Sequence, residues 1–400
     1  MKSTQNPWGS GIHFSAQLEE LAELGLRRTL RRIDSAQGPY VTLAGRRLCC
    51  FCSNNYLGLA NHPQVTDAVK QAVEQWGWGA GASRLVCGHM APHAQLEARL
   101  AAFKHTQAAL VCTTGYQANL AAIRGLAGKG DVVLIDKLDH ASIIDAVRGT
   151  GAVVRVFGHR DYRKLERLLD RSGDARRRVI VTDSLFSMDG DLADLPRLVE
   201  LKRRYDAILC VDEAHATGVF GEHGRGLAEM MGVEDQIEVV VGTLSKALGG
   251  IGGFIAASAE FIEWLINTAG PFIYTTALPP AACAAAIAAL DLVEREPQRR
   301  RKLLTLAGRL RAELGQARGL NIADTSSQIV PLVVGDAEAA VRLANSLEDE
   351  GLFIPAIRPP TVPRGKARLR ISVCAEHDQA DLDRLIAALD RHYRPARAAT

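Results

Sequence analysis

The sequence lacks an excess of charge of either sign. Its 400 residues include 48 Lys and Arg against 45 Asp and Glu, a formal net charge of +3. This balance gives no sign of the strongly basic surface that nucleic acids attract, so we predict no nucleic-acid partner. The hydrophobic fraction of 47% excludes a chain that is disordered throughout. The length allows two or three domains.

Long apolar runs are also missing. The longest weakly polar stretch, Ala277 to Leu290, contains two prolines and is shorter than the roughly 20 residues that cross a bilayer. Residues 1–13 contain no apolar block of the signal-peptide type. We therefore expect a soluble, cytoplasmic protein with no membrane partner.

The eight cysteines form neither a zinc pattern nor a disulfide framework. Cys49 and Cys52 have the spacing C-x-x-C, but no second pair accompanies them, and no metal site is predicted. They lie in the stretch Arg47 to Cys52, which resembles a strand. We predict small buried thiols in a reducing compartment.

Two common catalytic motifs are absent as well. Gly77-Trp-Gly79 and Gly149-Thr-Gly151 lack the third glycine of the dinucleotide-binding motif GxGxxG. Gly81-Ala-Ser83 lacks the last glycine of the hydrolase motif GxSxG. The sequence therefore favours neither a dehydrogenase nor a serine hydrolase.

What the sequence does contain is a regular alternation of short apolar runs and helical segments. Near-continuous apolar strands between helices favour a mostly parallel sheet covered on both faces, hence an α/β fold. We predict seven strands in one large domain, at 108–112, 131–135, 153–157, 179–182, 207–211, 238–242 and 253–257. After an Ala-rich helix at 280–293, strand candidates at 329–334 and 369–373 indicate a smaller C-terminal α+β domain.

The N-terminal part has a different pattern. Residues 15–32 have amphipathic spacing and predict a helix with a basic end, and residues 40–51 predict a hairpin. A further helix is expected from Pro63 toward Trp76, because proline suits a first helical position. The predicted units are residues 1–60 (helix and hairpin), 61–290 (large domain) and 291–400 (small domain).

Polar residues follow several of the predicted strands, at the sheet edge where ligands of parallel sheets bind. Gly115 opens a helix after one strand and is a candidate phosphate site. Asp212 ends a fully apolar strand, where burial would require a facing cation such as a protonated ring nitrogen. Lys246 follows another strand among small residues, which favours a lowered pKa and a nucleophilic amine. Thr243 and Ser245 beside it carry hydroxyls that can bind phosphate.

Two more strands end in polar groups, His140 after one and Ser187 after another. Together the strand ends offer a Schiff-base lysine, an acid for a ring nitrogen, a phosphate site and an imidazole that can stack on a ring. Each of these meets a distinct requirement of pyridoxal phosphate (PLP), so we predict PLP as the cofactor.

Four strings identify a family resemblance. They are Ser53-Asn-Asn-Tyr-Leu-Gly-Leu59, Phe186-Ser-Met-Asp-Gly190, Asp212-Glu-Ala-His215 and Gly242-Thr-Leu-Ser-Lys246. In this order they resemble the α-oxoamine synthase family of fold-type I PLP-dependent transferases. Members condense an amino acid with an acyl-CoA thioester and release carbon dioxide. The resemblance runs from about residue 26 to the final helix and implies a PLP-dependent acyltransferase.

The resemblance implies a role for each catalytic residue. Lys246 would form the Schiff base with the cofactor and act as general acid and base at the substrate α-carbon. Asp212 would pair with the pyridinium nitrogen, and His140 would stack on the ring. His215 and Ser187 would lie on the side of the cofactor's 3-hydroxyl.

Phosphate binding and assembly are implied in the same way. Thr243 would hold the phosphate together with the backbone of Gly115 and Tyr116. Members are homodimers with active sites at the interface. The string Tyr274-Thr275-Thr276 resembles the segment that reaches the cofactor of the neighbouring subunit.

The string Ile357-Arg-Pro-Pro-Thr-Val-Pro363 narrows the substrate. It most resembles the member that condenses L-alanine with a pimeloyl thioester of coenzyme A or a carrier protein, and the alternative is glycine with acetyl-CoA. The string Gly88-His89-Met90 departs from the family pattern, in which a small polar residue more often follows the glycine. The implied substrate-binding residues are Arg28 or Arg31, Asn54, His140, Arg358 and Thr361.

Overall fold

The chain begins with a helix and a hairpin that precede the central sheet. The computed structural model describes residues 14–323 and 325–393. The first elements are α1 (Phe14–Glu23), β1 (Tyr40–Leu43), β2 (Arg46–Cys50), α2 (Pro63–Trp76) and α3 (Ala91–Phe103). The hairpin β1–β2 and the start of α2 at Pro63 lie where the sequence predicts them.

The N-terminal helix is shorter than predicted. It ends at Glu23 rather than Arg32, and none of its residues is buried. Gly25 adopts a left-handed φ of 65°, the conformation that commonly terminates a helix. The prediction that Arg28 and Arg31 belong to the helix is therefore wrong, because both lie in the irregular segment that follows it.

A seven-stranded sheet forms the centre of the molecule. Its strands are β3 (Ala108–Cys112), β4 (Val132–Asp136), β5 (Val153–Phe157), β6 (Arg178–Asp183), β7 (Ile208–Asp212), β8 (Val239–Thr243) and β9 (Gly253–Ala257). Their order across the sheet is β3-β9-β8-β7-β6-β4-β5, and β9 alone runs antiparallel to its neighbours. The predicted seven-stranded, mostly parallel sheet is confirmed.

Helices cover both faces of this sheet. They are α4 (Gly115–Leu126), α5 (Ala141–Arg148), α6 (Tyr162–Asp170), α7 (Leu195–Arg204), α8 (Leu227–Met230), α9 (Ala259–Thr268), α10 (Gly270–Ile273) and α11 (Pro280–Arg295). Successive side chains of β4 alternate between two apolar cores, with Leu134 in one and Val133 and Ile135 in the other. No helix in the described part of the chain is long and apolar enough to cross a membrane.

The C-terminal part forms an α+β unit, as predicted. Its elements are α12 (Pro297–Arg311), β10 (Ile329–Gly335), α13 (Ala337–Asp349), β11 (Leu352–Phe353), β12 (Ala356–Ile357), β13 (Ala367–Ser372) and α14 (Gln379–His392). Strands β10, β13 and β12 form an antiparallel sheet, whereas β11 pairs with β2 of the N-terminal hairpin. The boundaries at residues 60 and 290 stay predictions.

Candidate active site

A lysine with a lowered pKa lies just after strand β8. The Nζ atom of Lys246 is 2.8 Å from Nε2 of His215. Burial lowers the pKa of Lys246 to about 8, although the carboxylates of Asp212 and Asp183 act in the opposite direction. Part of this amine is therefore neutral near pH 7, and a neutral amine can act as a nucleophile or as a base.

The lysine belongs to a chain of buried hydrogen bonds. The hydroxyl of Tyr56, which is fully buried, is 2.7 Å from Nδ1 of His215. Nη2 of Arg370 donates to the same hydroxyl at 3.1 Å. The hydroxyl in turn donates to Oδ1 of Asn54 at 3.0 Å. We call Lys246, His215, Tyr56 and Arg370 the lysine network.

The direction of these hydrogen bonds fixes the state of His215. The hydroxyl of Tyr56 donates its proton in the hydrogen bond to Asn54. Toward His215 it can therefore only accept, so Nδ1 of His215 carries the hydrogen and donates it. Nε2 is then free to accept from the amine of Lys246. Burial, together with the positive charge of Lys246, holds the pKa of His215 well below its usual value, so the imidazole is neutral.

A fixed carboxylate ends strand β7. Oδ2 of Asp212 accepts a hydrogen bond from Nδ2 of Asn119 at 2.6 Å, and Oδ1 accepts one from the backbone N–H of Ala214 at 2.7 Å. Asn119 lies on α4 and also donates to Oγ of Ser142. A carboxylate has about four acceptor positions, so Asp212 can still accept from a protonated ring nitrogen.

The start of α4 and the end of β8 together form a candidate anion site. The backbone N–H groups of Gly115 and Tyr116 have no acceptor within the described residues. A Cβ atom at Gly115 would lie only 3.3 Å from Oγ1 of Thr243, so helix and strand are in close contact there. Oγ1 of Thr243 is 2.7 Å from Oγ of Ser245. Helix N-terminal amides beside two hydroxyls suit a phosphate group.

His140 and Ser187 lie on two neighbouring strand ends. His140 caps α5, with its Nδ1 2.7 Å from Oγ of Ser142, and its backbone N–H donates to Oδ2 of Asp183 at 2.7 Å. The carbonyl of Ser187 accepts from Nε of Arg370 at 2.5 Å. The backbone of Ser187 is thereby joined to the lysine network.

The predicted substrate residues gather in a pocket between the segment after α1 and the segment after β12. Nη2 of Arg28 donates to Oγ1 of Thr361 at 3.2 Å, and Nη1 of Arg358 donates to the carbonyl of Gly25 at 2.6 Å. Arg28, Arg358 and Thr361 all line this pocket, which we call the arginine pocket.

Arg31 and Asn54 differ from that group. Arg31 lines the same pocket, but both terminal nitrogens of its guanidinium bind the carboxylate of Glu348, at 2.6 and 2.7 Å. Its hydrogen-bonding capacity is therefore partly used, which favours Arg28 as the substrate ligand. Asn54 contacts Tyr56 and so lies beside the lysine network.

The segment Tyr274 to Thr276 follows the short helix α10. Tyr274 is 87% exposed, and Thr276 forms a β-bridge with Ser83. Among the described residues, no hydrogen bond joins Thr275 or Thr276 to Lys246. Thr275 and Thr276 line a small cavity together with Thr113 and Gln117, next to the start of α4.

Sequence reasoning gave no role to three residues that the structure brings to the site. Tyr56 lies within the first motif string and Asn119 on the helix that Gly115 opens, but nothing in the sequence distinguishes them from their neighbours. Arg370 carried a usable signal, since it is a charged residue inside the predicted strand 369–373; in the structure it is only 7% exposed. A buried arginine needs partners, and here they are Tyr56, Ser187 and Ser372.

The fold and the lysine site together define the class of protein. The aminotransferase class I and II family matches residues 47–389, and this chain belongs to that family. The predicted fold-type I architecture and the PLP cofactor are confirmed. A variant serine palmitoyltransferase from S. paucimobilis, solved with PLP and myriocin, is 33% identical with a TM-score of 0.90, covering 95% of this chain and 97% of that one.

Relatives that are similar along nearly the whole chain have more specific names than the family does. The 8-amino-7-oxononanoate synthase of Geobacter sulfurreducens is 51% identical over 380 residues, which cover 94% of this chain and 97% of the relative. The solved structure of an 8-amino-7-oxononanoate synthase from Francisella tularensis is 28% identical with a TM-score of 0.75, covering 86% of this chain and 97% of that one.

Proposed function

We propose that this chain condenses L-alanine with a pimeloyl thioester of coenzyme A or a carrier protein. The products are 8-amino-7-oxononanoate, the free thiol and carbon dioxide, in biotin biosynthesis. The observation that carries the proposal is the low-pKa amine of Lys246 beside His215. It occurs in a chain that is 51% identical to an 8-amino-7-oxononanoate synthase over 380 residues.

The residues of the site fit PLP. The amides of Gly115 and Tyr116, with the Thr243 hydroxyl, suit the phosphate, and Asp212 suits the ring nitrogen. Lys246 suits the aldehyde, because its amine is partly neutral. When bound, PLP supplies an electron-withdrawing ring that stabilises negative charge at the substrate α-carbon.

Lys246 transfers the proton at the α-carbon of the substrate. An amine with a pKa of about 8 is roughly one-tenth neutral at pH 7, enough to remove the α-proton of alanine and to return a proton to the product. Nε2 of His215 accepts from this amine and so orients it. With PLP bound, Asp212 would keep the ring nitrogen protonated and His140 would pack against the ring.

The arginines hold the substrate carboxylates. We assign the carboxylate of alanine to Arg358, and we assign a substrate contact to Arg28 and Thr361 rather than to Arg31. Arg370 is a second candidate for the alanine carboxylate. Its guanidinium and the ring of His215 are hydrogen bonded to the same hydroxyl, that of Tyr56.

We also propose a cytoplasmic homodimer in which the segment Tyr274 to Thr276 reaches the partner's site. The exposure of Tyr274 supports this arrangement. All eight cysteines are free thiols, which fits a reducing compartment.

A substrate comparison tests the proposed function. The PLP-loaded protein is incubated with alanine or glycine and with pimeloyl-CoA, pimeloyl carrier protein or acetyl-CoA, and thiol release and product mass are measured. We expect the fastest reaction with alanine and a pimeloyl thioester. A clear preference for glycine and acetyl-CoA would contradict the proposal and would indicate a glycine C-acetyltransferase instead.

A further inference from the structure

Two cysteines next to the lysine network are in contact. Cys50 is the last residue of β2, and its Sγ atom is 3.6 Å from Sγ of Cys52. Side chains two positions apart on an extended chain share a face, and the backbone bends at Phe51 and Cys52, where the two thiols are in contact. Cys50 is 4% exposed, whereas Cys52 is partly exposed. A molecule as small as hydrogen peroxide can therefore approach the pair from the side of Cys52.

Cys50 differs chemically from the deeply buried thiols of the chain. The hydrogen bond with Cys52 lowers the pKa of Cys50 to about 7, and the backbone amides of Cys52 and Ser53 act in the same direction against burial. Burial instead raises the pKa of Cys112 and Cys374 to about 12. Since the thiolate is the nucleophilic form, Cys50 is the reactive partner.

We propose that Cys50 and Cys52 form a reversible disulfide when the protein meets a hydroperoxide. The Cys50 thiolate attacks one peroxide oxygen, so an S–O bond forms, the O–O bond breaks, and hydroxide leaves as water after taking a proton. The Cys52 sulfur, losing its proton, then attacks Sγ of Cys50, and the S–O bond breaks to release a second water. Two thiols are oxidised by two electrons and one peroxide is reduced.

The disulfide would alter the neighbouring site. A disulfide is about 2.05 Å long, so the two sulfur atoms must approach by roughly 1.5 Å from their present 3.6 Å. The same segment continues to Asn54 and Tyr56, whose side chains are hydrogen bonded to each other. Displacing Tyr56 weakens its contact with His215, so we expect slower turnover. This consequence rests on the proposed function, whereas the disulfide itself does not.

Thiol mapping tests the disulfide without any substrate. The PLP-loaded protein is treated with hydrogen peroxide, alkylated under denaturing conditions, and the peptide spanning 48–70 is sequenced by mass spectrometry. We expect Cys50 and Cys52 to escape alkylation, the peptide to lose two hydrogens, and dithiothreitol to reverse both changes. Full alkylation of both residues after peroxide treatment would overturn the proposal.

Serine variants identify the partners. Cys49 is the matched control, because alternate residues of a strand face opposite sides, and Cys49 and Cys50 pack in different apolar clusters. We expect the mass loss to persist in Cys49→Ser and to vanish in both Cys50→Ser and Cys52→Ser, with Tm reporting that each variant is folded. Loss of the disulfide in Cys49→Ser would contradict the assignment.

Turnover measured on the same samples tests the regulatory effect. Wild type should lose at least about half of its activity with peroxide and regain it with dithiothreitol, whereas Cys50→Ser should keep its own activity. If wild type forms the disulfide and turnover is unchanged, the regulatory effect is wrong. If no condensation activity is detected while the disulfide forms, the proposed function fails and the disulfide stands.

Discussion

The lysine network and the arginine pocket are built in opposite ways. In the network, Tyr56 is fully buried and His215 is 6% exposed, and successive contacts measure 2.7 to 3.1 Å. In the pocket, Arg28 and Thr361 are exposed and share one contact of 3.2 Å. In the network, His215 and Lys246 follow strands β7 and β8 and Arg370 lies inside β13, whereas the arginines of the pocket lie on irregular segments.

This difference matches the chemistry that we assign to each region. A low dielectric strengthens charge interactions and shifts pKa values, so a proton-transfer group is best held in a buried, fully hydrogen-bonded setting. A site that binds the carboxylate of a substrate must be open to solvent so that the substrate can enter. Exposed arginine side chains can change conformation to contact that carboxylate. We therefore expect changes at Lys246, His215 and Tyr56 to act on kcat and changes in the arginine pocket to act on KM.

The largest effect should come from the lysine itself. Lys246→Ala removes the amine that binds the cofactor and moves the proton, so we expect kcat to fall by about 10³-fold or more. Turnover is measured with alanine and a pimeloyl thioester. Lys164→Ala, at an exposed position on α6, is the matched control and should retain wild-type activity. Substantial turnover in Lys246→Ala would sink the assignment of the site.

The next effect tests the middle of the network. Tyr56→Phe leaves Nδ1 of His215 and Nη2 of Arg370 without their shared acceptor, which we expect to lower kcat by about 30-fold. The pH–rate profile should also shift, because the orientation of His215 affects the amine of Lys246. Tyr205→Phe is the control, since its hydroxyl makes no hydrogen bond within the described residues. A wild-type kcat and pH profile would show that the network is only structural.

The arginine pocket should respond differently. Arg28→Ala removes a charged hydrogen-bond donor and should raise KM for the substrates by about tenfold, with little change in kcat. Arg31→Ala should have a smaller effect, because that guanidinium is bound to Glu348. A larger KM effect for Arg31→Ala would reverse the choice between the two.

The smallest effect concerns a partly buried ion pair between His159, which follows β5, and Asp136 at the end of β4. Burial disfavours the charged form of His159, but hydrogen bonds to Asp136 and Asp191, at 3.0 and 2.7 Å, raise its pKa to about 9. The folded pKa exceeds the unfolded value of about 6.5, so the stabilisation is full below that pH and is lost as the pH rises through about 9. Because His159 is partly exposed to solvent, we expect its charge to contribute on the order of 1 kcal/mol to the free energy of unfolding, less than the full pKa shift implies.

The measurement for this ion pair compares Tm in wild type and His159→Gln. The difference should be largest near pH 6 and should shrink toward pH 10. A constant difference would mean that the side chain stabilises by packing alone, for instance through its edge-on contact with Phe186.

Sequence patterns predicted the central sheet well because most of its strands, the edge strand β5 excepted, are buried on both faces. Such strands are continuous apolar runs, and the polar residues at their ends, Asp212 and Lys246 among them, stand out. The N-terminal helix was predicted too long because the apolar spacing continues past Gly25. The left-handed conformation of that glycine ends the helix regardless of the spacing.

The partners of the site residues could not be predicted in the same way. Residues 56 and 370 are 314 positions apart, and no local rule says that Arg370 will donate to the hydroxyl of Tyr56. The choice between Arg28 and Arg31 likewise depends on Glu348. This residue belongs to α13 and lies 317 positions after Arg31 in the sequence.

The sequence by itself determined the cofactor class, the sheet and the identity of the central lysine, because these depend on residue types at strand ends and on motif order. Only the tertiary structure decided that His215 is a neutral acceptor for Lys246, that Arg31 is bound to Glu348, and that Cys50 and Cys52 are in contact. Hydrogen-bond direction, desolvation and thiol reactivity depend on which distant groups lie within about 3 to 4 Å, and folding alone sets those distances.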